Sequence, residues 1–236
     1  MKGRVALRLA AAGTAEAAPP PGKLRRDLRL IAEMIEPGSR VLDIGCGDGA
    51  LLAYLARDKA VDARGIELSQ SGVNACVRHG LSVIQGDADR DLDAFPDGAF
   101  DVVVLSQTLQ ATRQPRHVVE ELLRIGKRAI VSFPNFGFWR IRLSLLFRGR
   151  MPMSMLLNNP WYDTPNIHLC TIRDFVALCD ELGARIERSL TLDRHGGPFS
   201  LDPRGSLANL LAEQGIFLLS GGRQGRRWGA GREAQR

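Results

Sequence analysis

Apolar positions along the chain change period several times. Leu24, Leu28, Ile31 and Ile35 recur at helical spacing, and Pro37-Gly38 stops that run. Arg40 to Ile44 is then a short apolar strand with a glycine-rich turn behind it, followed by a helix carrying Leu51, Leu52 and Leu55 on one side. The alternation repeats through a strand at Ala63 to Glu67, a helix from the Ser69 cap to Gly80 and a strand at Leu81 to Gln85. A strand at Phe100 to Ser106, a helix from Pro115 to Arg124 with proline in its first turn, and a strand at Lys127 to Ser132 follow. Ile172 to Leu182, capped by Thr171 with Asp174 three residues on, predicts a last helix. Arg185 to Thr191 and Gly215 to Ser220 read as closing strands. Strand-then-helix repeats of this kind predict an α/β fold, a doubly wound, mostly parallel seven-stranded sheet with helices on both faces. Residues 133–170 are an insertion after strand five.

Length and composition set the limits. A chain of 236 residues implies one domain with appendages. Its 44% hydrophobic and 25% charged content excludes a wholly disordered, collagen-like or coiled-coil protein. The alanine-rich stretch ending in Pro19-Pro20-Pro21-Gly22 cannot pack, so residues 1–23 are expected to be a flexible extension, 24–222 the folded domain and 223–236 a flexible basic tail. The formal charge of +6 then loses its meaning as a nucleic-acid signal. Residues 1–29 carry +5 and residues 223–236 carry +4, which leaves the middle at −3 with no basic stripe. Cys46, Cys76, Cys170 and Cys179 are scattered without a C-x-x-C pair, which suggests reduced thiols in a cytoplasm, no disulfide framework and no metal site. Arg8 interrupts the N-terminal apolar run, and no stretch approaches the ~18 apolar residues of a membrane span, so neither a secretory signal nor a membrane protein is expected.

Candidate chemistry gathers at the carboxyl ends of the strands, where an open parallel sheet places its ligand. In Val41-Leu42-Asp43-Ile44-Gly45-Cys46-Gly47-Asp48-Gly49 the glycines allow a sharp turn and close approach of a ligand to the backbone. Gly45, Gly47 and Ala50 formally satisfy a dinucleotide fingerprint, but Asp43 at the strand end would repel a pyrophosphate. It suits instead the ammonium of S-adenosylmethionine, directly or through water. Glu67, ending the second strand, is placed to accept both ribose hydroxyls. Asp87, preferred to Asp89 because it directly follows the strand and Gly86, is placed to accept from the adenine amino group. Ser106 and Gln107 would line the sulfonium side. With Cys46 as a loop filler and Leu68 and Ala88 beside the two carboxylates, the cofactor set is Asp43, Gly45, Cys46, Gly47, Gly49, Glu67, Leu68, Asp87, Ala88, Ser106 and Gln107. Capping and solvation of strand ends is the structural alternative for each acid taken alone.

Residues 37–131 resemble the class I S-adenosylmethionine-dependent methyltransferases, which implies their Rossmann-like sheet. Four runs narrow the resemblance: Arg40 to Gly49, Leu105-Ser-Gln-Thr-Leu-Gln110, Ser132-Phe-Pro-Asn-Phe-Gly137 and Trp161-Tyr-Asp-Thr-Pro-Asn-Ile-His-Leu-Cys170. Together they resemble the methionine-biosynthesis MetW family over residues 24–220. The resemblance implies a methyltransferase-like protein that works with homoserine O-acyltransferase as an accessory or activating partner. An independent small-molecule methyltransferase is the alternative.

Methyl transfer depends more on alignment than on a base, so the missing triad excludes nothing. There is no [D/N]-P-P-[Y/F] segment, which disfavours an amino methyltransferase of nucleic-acid bases. Tyr162 and His168 are the candidates for a general base or an acceptor-orienting group, a structural histidine being the alternative. Residues 138–148 read as a helix with a polar stripe at Arg140, Ser144 and Arg148 and an otherwise mostly apolar surface. Such a helix is buried in its own core, closes as a lid, meets a membrane surface, or presents Phe138, Trp139, Leu143, Leu146 and Phe147 to another chain.

Overall fold

The computed structural model describes residues 24–151 and 160–221. The expected N-terminal extension, the C-terminal tail and part of the insertion lie outside the described residues. In chain order the elements are α1 (Arg26–Glu33), β1 (Arg40–Ile44), α2 (Ala50–Lys59), β2 (Asp62–Glu67), α3 (Gln70–Arg78), β3 (Ser82–Gln85), β4 (Phe100–Ser106) and α4 (Pro115–Ile125). They continue through β5 (Gly126–Pro134), α5 (Trp139–Arg148), α6 (Ile172–Glu181), β6 (Arg185–Leu192), β7 (Pro198–Phe199), α7 (Ser206–Leu211) and β8 (Gln214–Ser220).

All strands join one sheet in the order β3-β2-β1-β4-β5-β8-β6-β7. β1 to β5 pair in parallel, and β8, β6 and β7 extend the sheet antiparallel. The doubly wound sheet is as expected, but the described residues give it eight strands rather than seven. β7 is a two-residue arm opening with proline, too short to show alternation, and it is held by pairing of Thr191 with Phe199 and Leu192 with Pro198. β5 runs two residues past its expected end because Phe133 is buried and Pro134 still pairs with Gln214. α7 leaves no clear mark in the sequence: it is six residues long with Gly205 at its N-cap and no side-chain cap.

Side-chain alternation sorts the two layers. Leu42, Ile44, Val103, Leu105, Val131 and Phe133 pack against α4 and α6, whereas Val41, Val102, Val104 and Ile130 pack against α1 and α2. Asp43 shares the α1 and α2 side with Val41, since side chains two apart on a strand point the same way. α6 opens with a full capping box: Thr171 Oγ1 accepts from Asp174 N, and Asp174 Oδ2 accepts from Thr171 N. Thr171→Ala should cost about 1 kcal/mol of stability, read as a lower denaturant midpoint at unchanged slope.

α5 forms where the apolar pattern places it, yet it buries only Ile141, together with Phe138 just before it. Leu146 and Phe147 are 73% and 77% exposed, and Trp139, Leu143 and Leu145 are also exposed. Burial of this helix in its own core is therefore excluded for most of its apolar side chains. No helix among the described residues is long and apolar enough to cross a membrane.

Candidate functional site

The strand order reverses between β1 and β4, and a parallel sheet opens a crevice above the carboxyl ends at such a point. A cavity of about 470 Å³ lies there and extends over β2 and β3, with Ile44, Gly45, Ile66, Glu67, Leu68, Asp87, Ala88 and Asp89 on its wall. Thr108, Ala111, Thr112, Arg113 and Ile167 close the opposite side.

The turn after β1 is built from left-handed glycines. Gly45 has φ +73° and a Cβ there would lie 2.5 Å from Thr108 Oγ1, so the loop can approach β4 only without a side chain. Gly47, at φ +60°, faces open space. Gly45 N and Cys46 N both donate to Ile66 O, fixing the turn to β2. Glu67 holds it from above: Oε2 accepts from Gly47 N at 2.8 Å and Oε1 from Ser69 N at 2.9 Å. A further glycine, in α3, makes this packing possible, since a Cβ on Gly72 would meet Glu67 Cγ at 2.7 Å and Gly47 O at 2.9 Å. Nothing in the sequence points to Gly72, because a lone helical glycine carries no local signal.

The two acids after β3 differ in what they hold. Asp89 accepts from Arg113 N and Gln114 N and so pins the loop after β4. Asp87 accepts only Asp89 N on Oδ1, and its Oδ2 lies 3.9 Å from Arg90. Asp87 thus keeps the freer carboxylate at the cavity wall.

Asp43 is buried beneath the turn and does not line the cavity; its Oδ1 has no hydrogen-bond partner among the described residues. Burial, and then the nearby Glu67 charge, push its carboxyl up to about 7, with Arg25 pulling the other way. Cys46 packs with Leu52 and Cys76, and burial followed by the Asp43 charge pushes its thiol up, so it is an unreactive filler. Ser106 faces Ser132, the two hydroxyls 3.1 Å apart. Gln107, at φ +55°, turns to α1 and donates to Asp27 Oδ2, which also accepts from Gln214 and is paired with Arg25. Gly45, Glu67, Leu68, Asp87 and Ala88 therefore meet at the cavity, while Asp43, Cys46, Gly47, Gly49, Ser106 and Gln107 surround the turn or the adjoining crevice. Tyr162 is exposed, edge-on to Trp161, and His168 turns its ring to Arg113 O at 3.3 Å. Neither lines the cavity. Away from it, Asp93, His117 and Glu121 bring ligand-type atoms within 4.8 Å of one another, and Arg124 holds Glu121.

The residues present fit a cofactor with a cationic amino-acid end and an uncharged nucleoside. The Asp43 oxygen without a partner among the described residues lies under the turn, the Glu67 carboxylate, held by Gly47 N and Ser69 N, and the freer Asp87 carboxylate mark the wall, and apolar Ile66, Leu68, Ala88 and Ile167 flank it.

Solved structures share this architecture. A SAM-dependent methyltransferase from Archaeoglobus fulgidus superposes with TM-score 0.61 at 15% identity, covering 82% of this chain and 90% of that one. The [4+2]-cyclase SpnF superposes with TM-score 0.58 at 18% identity, covering 89% and 88%. The protein is therefore of the class I methyltransferase-like α/β fold, a scaffold that does not by itself fix the reaction. Residues 25–219 match the family described as Methionine biosynthesis protein MetW, and the chain belongs to that family. The bifunctional methionine biosynthesis protein MetXA/MetW of Rhodopirellula baltica is 37% identical over 180 residues, 72% of this chain and 29% of that protein. A fatty-acid O-methyltransferase of Mycolicibacterium smegmatis is 44% identical over 72 residues, 28% of this chain and 26% of that protein. The chain thus spans less than a third of each of these two relatives.

Proposed function

We propose that this chain binds S-adenosylmethionine in the cavity above β1, β2 and β3 and serves as an accessory partner of homoserine O-acyltransferase. The carrying observation is the relative in which MetXA and MetW are one bifunctional chain, because fusion fixes two units at high effective concentration. We assign the acyltransferase to the MetXA part of that relative. The cofactor, when bound, supplies a sulfonium-activated methyl group. What this chain's residues do is hold it: Glu67 faces the ribose hydroxyls and Asp87 the adenine amino group, while Asp43, buried beneath the turn, meets the ammonium through water.

The partner surface is α5. None of its residues lines the cavity, which disfavours a lid, and most of its apolar side chains have no cover among the described residues. Arg140, Arg142, Arg148 and Arg150 are exposed on and just after this helix, with no acid between Phe138 and Arg150, so the complementary surface is an apolar cleft with acidic groups beside it. Pull-down from native cytoplasm, read by mass spectrometry, should bring the acyltransferase. An independent methyltransferase would come alone and turn over the cofactor.

Glu67→Gln keeps the side chain's shape and removes its charge. Calorimetric titration should show S-adenosylmethionine bound about tenfold more weakly, the low end for a charge-assisted hydrogen bond. Unchanged affinity would remove Glu67 from the site.

A further inference from the structure

Three of the runs that carry the family resemblance have no part in the glycine turn, and the fold brings them to one junction. Gln110, from the first run, is 2% exposed in the short turn after β4. Its backbone oxygen accepts from both Ile167 N and His168 N of the third run, at 2.8 and 2.9 Å. Its amide Nε2 donates to Pro134 O of the second run at 3.0 Å and reaches Cys170 O at 3.4 Å, while its Oε1 is buried without a partner among the described residues.

The insertion leaves and re-enters the fold at the same place. Phe136 N donates to Cys170 O, and Asn135 Oδ1 accepts from Gly137 N, at the entrance to α5, and from Ile172 N, where the chain returns into α6. Asn135 is anchored in turn by donating to Asn209 O and Ala212 O. Two features of the insertion therefore hang from one neck: the exposed face of α5 on the outgoing side, and Ile167, which lines the cavity, on the returning side. On the cavity side, Ala111, Thr112 and Arg113 follow Gln110 directly and line the same wall.

We propose that this junction couples the two sites, so that occupancy of the cavity by S-adenosylmethionine tightens the association of α5 with the acyltransferase, with Gln110 as the positioning residue. The proposal rests on the reading above that the chain binds both. Its physical basis is the returning stretch. Residues 160–170 contain turns but neither helix nor strand, and Ile167 is half-exposed at the cavity wall. A nucleoside in the cavity gives Ile167 an apolar neighbour and fixes that stretch, and through Gln110 and Asn135 the entrance to α5 as well. A partner docking on α5 then orders less chain and binds more tightly. Linkage requires the reciprocal effect, tighter cofactor binding in the presence of the partner.

The test measures the dissociation constant between this chain and purified homoserine O-acyltransferase with no cofactor and with saturating S-adenosylmethionine, cofactor binding itself being verified by calorimetry. Coupling of about tenfold is expected, within the usual range for linked sites. In Ile167→Ala and in Gln110→Met, which keeps the volume and removes the amide, the ratio should fall below about twofold at saturating cofactor. Should Gln110→Met fail to fold, Ile167→Ala decides alone, because its side chain is not part of the core. Equal affinity with and without bound cofactor in the parent would overturn the coupling and leave the accessory role standing. An undiminished ratio in the variants would overturn the junction as its route. Absence of any association, or of cofactor binding, would overturn the underlying reading and the coupling with it.

Discussion

Replacing Asp43 with asparagine is expected to raise the stability of the cofactor-free chain at pH 8 while weakening its binding of S-adenosylmethionine by about 2 to 3 kcal/mol, the scale of a charge-assisted hydrogen bond in a desolvated site. Burial first, then the Glu67 charge, lift this carboxyl from 3.8 to about 7. Between those values the folded chain keeps a proton that the unfolded chain has released. The resulting stability is fully present below the ordinary carboxylate range and is lost as pH rises through about 7. Charging Asp43 within the fold costs on the order of 4 kcal/mol more than in the unfolded chain, and asparagine avoids that cost. Thermal melts at pH 5 and pH 8 check this: the parent should lose stability over the interval and the variant should lose much less.

A cation brought near Asp43 reverses the balance by favouring its charged form. Affinity of the parent for S-adenosylmethionine should therefore rise from about pH 6 to 8, with release of up to one proton, seen as a dependence of binding heat on the buffer's ionisation enthalpy. Binding that is equally tight at both pH values, in parent and variant alike, would take Asp43 out of the site. The pairing of a stability gain with a binding loss is the informative outcome, because a merely structural acid would not show both.

How much of this is legible in the sequence follows from how local each feature is. β4 reads directly from Phe100 to Ser106 because a buried parallel strand is a continuous apolar run. The turn after β1 and the acid ending β2 are equally local, as is the capping box of α6. Asp43 can be read as an acid at a strand end, but its burial depends on α1 lying over the same face, which no spacing reveals. The pairing of Asp27 with Gln107 and Gln214 joins positions 80 and 187 residues apart, so nothing in the sequence near either glutamine announces it. Asp89 stands further from the end of β3 than Asp87, and its task, holding Arg113 and Gln114, emerges only when the loops after β3 and β4 are brought together. Ile167 reaches the cavity from the insertion in the same way, through pairing with Gln110 that sequence distance conceals. β7 escapes a reading by period because two residues cannot display one.

Phe147→Ala should weaken association with homoserine O-acyltransferase by about 2 kcal/mol or more, roughly thirtyfold, while leaving cofactor affinity unchanged. An aromatic side chain standing 77% exposed at the end of an apolar helix is poorly placed in water and well placed as an anchor. Its exposure also makes the experiment clean, since cutting it back removes little packing. Trp139 is a harder case. It is only 38% exposed and lies edge-on to the buried Phe138, with Arg140 5.3 Å above its ring, so Trp139→Ala disturbs the fold along with any interface. Truncation of a large core aromatic can cost ~3 to 5 kcal/mol, and such a cost would imitate a broken interface. Melting curves separate the two: Phe147→Ala should melt like the parent and bind poorly, whereas a lowered melting point in Trp139→Ala reports packing. The arginines provide an independent arm. Arg148→Glu should slow association and reduce its salt dependence if the opposing rim is acidic, with little effect on the melting curve. If Phe147→Ala folds normally and still captures the acyltransferase at full strength, α5 is not the docking face, and the partner must be sought at another surface of the fold.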